Sequence, residues 1–336
     1  MRKKHFLFAS VLALLCGSST LHAQDFKLTS SGYFKNQGVD VMAFDDIYPE
    51  GHQGGVCIIM NGHRVATNGD IRLEATPGQW QPVPKQLDRK LGDNSITATL
   101  CYPDSSRHLT GFNPMIYPDL HLIYTVNVES KGKNIEVTVD LDRPIPQEFI
   151  GKVGFNLEFF PGSLFGKPWI MDGQSGIFPQ QPNSPLMTTQ PNYLHTGNYH
   201  DGKKSLADMD KLIGKGYSPI VADDIISEPY AKGTKFTSRP DDPYNKVTIE
   251  SLSGDLQLFD GRMNHNNGWF VLRSNIKPGV TKGAVKWIIT PNVVADWMYQ
   301  PVIQTSQIGY HPTQDKEAVI EMDIRCLLYT SDAADE

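Results

Sequence analysis

The chain has 336 residues, of which 39% are hydrophobic and 20% charged, with a formal net charge of -6. That composition describes a globular protein able to bury a core, and it lacks the basic block or stripe that tracks a phosphate backbone, which argues against nucleic acid as a partner. Only 4 cysteines in this length exclude a disulfide-stapled scaffold.

In chain order, the first element is "MRKKHFLFASVLALLCGSSTLHA", where Arg2, Lys3 and Lys4 precede an apolar run from Phe6 to Cys16 and small and polar residues close at Ala23. This is the layout of a secretory signal peptide over residues 1–23, cut near Ala23–Gln24 to release a secreted or periplasmic protein. The run is shorter than the roughly 20 apolar residues of a spanning helix, and no later run approaches that length, so no membrane span is expected. A lipoprotein anchored through Cys16 is the competing reading, against which Leu15 stands where a lipobox wants a small residue.

Period two dominates the mature chain. "GVCIIMNGHRVATNG" reads as a hairpin, because Asn61-Gly62 tolerates the positive backbone angles of a tight type I′ turn. "SITATLCY" follows as a strand. Then "LHLIYTVNVE" places Leu122, Tyr124, Val126 and Val128 on one face, "SKGKN" turns, and "NIEVTVDLD" places Ile135, Val137, Val139 and Leu141 on one face. Further strands are expected at "VGFNLEFF", "KVTIESL", "DLQLFD", "GWFVLRS" and "AVKWIITP", whereas the best helix is only the short "SLADMDKLIG". Many short strands separated by Gly and Pro predict an all-β fold, a large antiparallel β-sandwich with long loops over residues 24–298. Cys57 and Cys101 both fall in strand-like stretches, where they either form a disulfide or pack as two separate buried thiols.

The least regular region, about Phe155 to Pro243, is too long for a connector and too aromatic for a disordered linker, and ordered loops on a sheet scaffold are where binding surfaces sit. Trp80, Trp169, Trp269, Tyr193, Tyr199 and Tyr217, with the amide-rich "DGRMNHNNGW", are the groups that bind sugars, since flat rings cover the apolar faces of pyranoses while amides meet the hydroxyls. The candidate carbohydrate-binding residues are Trp169, Tyr193, Tyr199, Asn264 and Trp269, against the plainer reading that the tryptophans close the ends of the core. Among carboxylates, Glu158, Asp172, Asp201, Asp223, Asp224 and Asp260 are available to a glycosidase, yet no spacing pairs any two of them across a bond. His195 and His200 are five apart in a loop rather than four apart on a helix, and the "DMDKLIGKG" stretch lacks the later ligands of a calcium loop, so neither a metal site nor a cofactor is expected.

Gln307, Gly309, Tyr310, Pro312, Lys316, Ala318 and Val319, in "QIGYHPTQDKEAV", resemble the first strand and turn of the immunoglobulin-like domain that precedes the catalytic barrel in family nine glycoside hydrolases, the cellulase-type enzymes. There an Asn-Gln-Val-Gly-Tyr-x-Pro run is usual; here Ser306 replaces the asparagine and Ile308 the valine. The resemblance covers about twenty residues, and on a strand reading "VIQTSQIGY" and "EAVIEMD" flank the turn "HPTQDK". It implies that residues 299–324 begin a truncated immunoglobulin-like β-sandwich and that residues 24–298 resemble the sandwich extension some secreted bacterial members carry ahead of it. In that family catalysis belongs to a helical barrel further on, so the resemblance assigns no catalytic residue to this chain and implies a C-terminal catalytic domain in cis and a polysaccharide of the β-glucan type as partner. After Asp323, "RCLLYTSDAADE" breaks the alternation and resembles translated adapter sequence, making residues 325–336 and Cys326 non-native; a natural disordered terminus is the alternative.

The sequence therefore points to a non-catalytic N-terminal region of a secreted glycoside hydrolase that assists carbohydrate binding. Two other classes compete with it. One is a free-standing carbohydrate-binding or cell-surface module, and the other is a lyase or epimerase-like enzyme using the loops from His195 to Asp224.

Overall fold

A computed structural model describes residues 25–45, 54–74, 76–77, 84–102, 120–182, 228–263 and 268–323. In chain order its strands are β1 (Lys27–Leu28), β2 (Phe34–Asn36), β3 (Val39–Ala43), β4 (Val56–Met60), β5 (His63–Leu73), β6 (Lys85–Leu91), β7 (Ser95–Cys101), β8 (Ile123–Lys131), β9 (Asn134–Leu141) and β10 (Val153–Phe159). There follow β11 (Pro168–Met171), β12 (Gln174–Ile177), β13 (Ala231–Gly233), β14 (Lys235–Ser238), β15 (Val247–Ser251), β16 (Leu256–Asp260), β17 (Phe270–Asn275), β18 (Val285–Pro291), β19 (Val302–Thr305) and β20 (Ala318–Glu321). The first sheet has the spatial order β1-β2-β3-β4-β5-β10-β17-β16-β13, and the second β12-β11-β14-β15-β18-β9-β8-β7-β6. Every pairing between these strands is antiparallel, and β19 and β20 form a two-stranded sheet of their own. The all-β antiparallel sandwich expected from the alternating pattern is the observed fold.

Local chemistry explains the elements that the sequence announces. Asn61 and Gly62 have φ of 52° and 82°, so both central residues of the β4–β5 turn adopt the positive angles a type I′ turn needs. In β8 and β9, Tyr124, Val126, Val128, Ile135, Val137, Val139 and Leu141 are buried while the intervening residues are half-buried, which is the expected one-sided strand. The strands that pattern did not announce are β1 to β3, β6 and β11 to β14. Most are short, and β6 is a sheet edge whose exposed Lys85, Asp88 and Lys90 give it no buried face to detect. Charges on an edge discourage pairing with another chain.

Aromatic rings join the two sheets. Phe155 of β10 meets Trp287 of β18 edge to face at 5.0 Å, and Phe159 meets Phe236 of β14 at 5.7 Å. Trp287 Nε1 also donates to Ser274 Oγ of β17 at 3.0 Å, so the indole's one polar atom is satisfied inside the core. Cys57 and Cys101 are both buried and lie on different sheets, with Cys57 Sγ 3.0 Å from Thr67 Oγ1. Among the described residues no helix is long and apolar enough to cross a membrane. The "SLADMDKLIG" helix and residues 325–336 lie outside the described residues.

Because Trp287 is the largest fully buried side chain among the described residues and bridges both sheets, Trp287→Ala is expected to destabilise the fold by about 3 to 5 kcal/mol. Denaturant unfolding measures this, and a loss below about 1 kcal/mol would mean that the sheets do not pack through these rings.

Candidate functional site

The first sheet carries a buried charged ladder on the face turned away from Ile71 and Leu73. In β5, Ile71 and Leu73 join the core, so by the two-residue period Asp70 and Arg72 lie on the opposite face, with Glu74 just beyond the strand. The register continues them across the sheet: Asp70 lies beside Asn156, which lies beside Arg273, and Arg72 lies beside Gly154, which lies beside Asn275. All seven residues of β10 are buried, so Asn156 and Glu158 are sequestered although they point away from Phe155 and Leu157.

Hydrogen bonds make this face a network. Arg273 Nη1 donates to Asn156 Oδ1 at 3.1 Å and to Glu74 Oε1 at 3.3 Å, Nη2 to the Glu74 carbonyl at 2.9 Å, and Nε to Asn275 Oδ1 at 2.8 Å. Asn156 Nδ2 donates to the same Glu74 Oε1 at 2.7 Å, and Asn68 Nδ2 donates to Glu158 Oε2 at 2.5 Å. Gly154 is required here, because a Cβ at that position would lie 2.7 Å from Arg273 Nε, where the guanidinium crosses the strand.

Two tyrosines from the second sheet's side close the margin. The pairing of β4 with β5 ends at Val56 opposite Gly69, so Ile71 has no strand on that side among the described residues. Its N–H is accepted instead by Asp70 Oδ1 at 2.7 Å, and its carbonyl accepts the Tyr102 hydroxyl at 3.1 Å. The Tyr124 hydroxyl completes the set by donating to Asp70 Oδ1 at 2.9 Å.

Burial dominates the electrostatics. It pushes the Glu74 carboxyl up to about 7 despite Arg273, and the Asp70 carboxyl up to about 6 despite Arg72 and the Tyr124 bond. Burial works to lower the Arg72 guanidinium, but Glu158, Asp70 and Glu74 together outweigh it and hold it charged. Both tyrosine hydroxyls are driven well above their ordinary value, first by burial and then by Asp70, so they serve as neutral donors. The face thus combines guanidinium donors, amides and carboxylates, one of which changes protonation near neutral pH. Such a set can grip hydroxyl groups from both the donor and the acceptor side.

The residues singled out in the sequence are scattered by comparison. Trp169 of β11 is 6% exposed, lies over Gly176 and packs on Tyr230 at 5.8 Å, so its ring is part of the core. Trp269 is half-buried and stands edge to face with Phe160 at 4.5 Å. Tyr193, Tyr199 and Asn264, like Trp80, Tyr217, His195, His200, Asp201, Asp223 and Asp224, lie outside the described residues. Asp172 is a turn brace: its carboxylate accepts the Thr234 and Lys235 N–H groups, and the Thr234 bond leads in holding it below the usual carboxylate range. Asp260 is buried and gripped by Arg262, whose guanidinium also lies over the Phe270 ring at 4.5 Å. Of the three candidate carboxylates among the described residues, Glu158, Asp172 and Asp260, Glu158 joins the ladder. Asp70, Arg72, Glu74 and Asn156 escaped detection because "GDIRLE" and "VGFNLEFF" alternate like strands with one wet face, and Arg273 because nothing local marks the end of "GWFVLRS" as buried.

No protein-family model matches the chain, and no curated protein matches it. Among solved structures it is similar to the Slr1438 protein of Synechocystis sp. PCC 6803, with 9% identity over 80% of this chain and 96% of that one and a TM-score of 0.35. YeaD of Salmonella typhimurium, there assigned provisionally as a mutarotase, gives 8% identity over 79% and 95% with a TM-score of 0.36. The heparan sulfate lyase HepC of Pedobacter heparinus gives 11% identity over 87% of this chain and 40% of that one, with a TM-score of 0.28. At these scores none of the likenesses carries an argument about the chemistry of this chain.

The raised Glu74 and Asp70 carboxyls bind protons more tightly folded than unfolded, so their contribution to stability is present below the ordinary carboxylate range and is lost as pH rises towards about 7. The unfolding free energy is expected to fall over that window, for Glu74 by on the order of a few kcal/mol. Glu74→Gln keeps an acceptor for Asn156 and Arg273 and is expected to flatten the profile. A wild-type profile that is level or rises through the window would contradict this.

Proposed function

We propose that this chain is the non-catalytic N-terminal region of a secreted glycoside hydrolase of the family nine type, a sandwich that precedes an immunoglobulin-like module and assists the binding of a β-glucan-like polysaccharide. The observation that carries the reading is the "QIGYHP" run and the hairpin around it. Here β19 and β20 pair over Val302–Thr305 and Ala318–Glu321, with Ile303 opposite Ile320 and Thr305 opposite Ala318. Within the turn Gly309 takes φ of 80°, Tyr310 donates its hydroxyl to the Glu317 carbonyl, and the Ser306 N–H donates to the Tyr310 oxygen at 3.2 Å. The motif's glycine and tyrosine are thus the residues that shape the loop.

Ile303 is 69% exposed and Ile320 59% exposed on one face of this hairpin. Two strands alone are marginal in water, and an apolar face of that kind suits strands awaiting the rest of a module. The connection back to the sandwich is anchored. Gln37 Nε2 donates to the Trp297 carbonyl at 2.7 Å, and the Trp297 ring sits against Gly38 while Tyr299 sits against Gly62. A following module would therefore leave the β2–β3 and β4–β5 turns at a defined place.

Reading the frame beyond Asp323 tests the proposal. It is expected to continue into an immunoglobulin-like domain and a helical barrel, and the chain is expected to be retarded on a β-glucan affinity gel. Continuation into unrelated sequence, with no retardation, would overturn it.

A further inference from the structure

Among the described residues, two polar atoms of the buried ladder have no hydrogen-bond partner. Arg72, 7% exposed, has a buried Nε without an acceptor, and Asn68 has a buried Oδ1 without a donor. Asn68 Nδ2 is committed to Glu158 Oε2 at 2.5 Å, and the Glu158 charge acts on the Arg72 guanidinium across the same buried face. Asn68 holds φ of 55°, in the left-handed region, where the β5–β10 register slips between Asn156 and Glu158. Unpaired buried polar atoms and a left-handed backbone along one stretch of β5 call for a ligand or a role.

The chemistry of the two atoms narrows what fits. Arg72 Nε can only donate and Asn68 Oδ1 can only accept, and a hydroxyl group does both. Three carboxylates, Asp70, Glu74 and Glu158, face two guanidiniums, Arg72 and Arg273, a formal excess of 3 − 2 = 1 negative charge when all are ionised. An anion would meet that excess, and a cation would leave the Arg72 donor unpaired. We infer that this face of β5 and β10 binds a neutral polyhydroxylated ligand, with a vicinal diol of a sugar unit held between Arg72, Glu158 and Asn68. The inference rests on the carbohydrate reading proposed above and gives that reading a place on the sandwich. A structural water can meet the same two atoms, and the test separates the two.

The experiment is isothermal titration of the full chain with cellobiose and, as a charged counterpart, cellobiouronic acid. Saturable binding of cellobiose is expected, with weaker binding of the acid. Asn68→Gly suits the positive φ and leaves the backbone in place, and Arg72→Lys keeps the charge but loses the guanidinium fork. Each is expected to weaken cellobiose at least about tenfold with an unchanged circular dichroism spectrum; if Arg72→Lys fails to fold, Asn68→Gly decides alone. Absence of saturable binding means a water only and overturns the site, as does tighter binding of the acid. Retardation on the β-glucan gel together with wild-type titrations in both variants refutes this site while leaving the proposed function standing. A frame that runs into unrelated sequence refutes the proposed function instead.

Discussion

A strand buried on both faces cannot send its polar side chains to water, and β10 is such a strand. Everything around it follows from that constraint. Asn156 and Glu158 must find partners within the protein, and they find them in side chains that the register brings alongside from β5 and β17. The second sheet is built differently: β8 and β9 bury one face and leave the other half-buried, the usual state of an antiparallel sheet. The asymmetry between the two sheets is what makes the first one the place to look for function. A buried ionic network rarely stabilises a fold more than a well-packed apolar one, so stability alone is a weak reason to keep it.

The same constraint explains which parts of the molecule were legible in the sequence. Elements whose environment matches a simple local rule were readable: Asn61-Gly62 as a tight turn, the one-sided alternation of "NIEVTVDLD", the hairpin around "QIGYHP". The site was not. "GDIRLE" and "VGFNLEF" also alternate, and alternation states which residues share a face without stating whether that face is wet. Local alternation therefore cannot tell Asp70, Arg72 and Glu74 from solvated residues, although all three are buried. Only long-range pairing, Gly154 beside Arg72 and Asn156 beside Arg273, converts two ordinary strands into a network, and no local spacing encodes it. Aromatic content misled in the opposite direction: Trp169 has the residue type of a sugar platform, yet its neighbours Gly176 and Tyr230 make it a packing residue.

Between the sandwich and the terminal hairpin the chain changes its mode of stabilisation. Strands β1 to β18 are held by a core in which Phe155, Trp287, Phe159 and Phe236 interlock across two sheets. The hairpin β19–β20 relies on its own ladder, the Tyr310 clasp, and the contact of Tyr299 with Gly62 and with Asp323, whose carboxylate accepts the Tyr299 N–H at 3.1 Å. The sandwich thus has a core of its own, whereas Ile303 and Ile320 on the hairpin stay exposed.

Hydrogen exchange along the chain tests this division most directly. Amides of β5, β10 and β17 are predicted to exchange only through global unfolding, while those of β19 and β20 exchange orders of magnitude faster through local opening. Equal protection of the hairpin and the two sheets would contradict the account, because it would make β19 and β20 part of the sandwich's own cooperative unit.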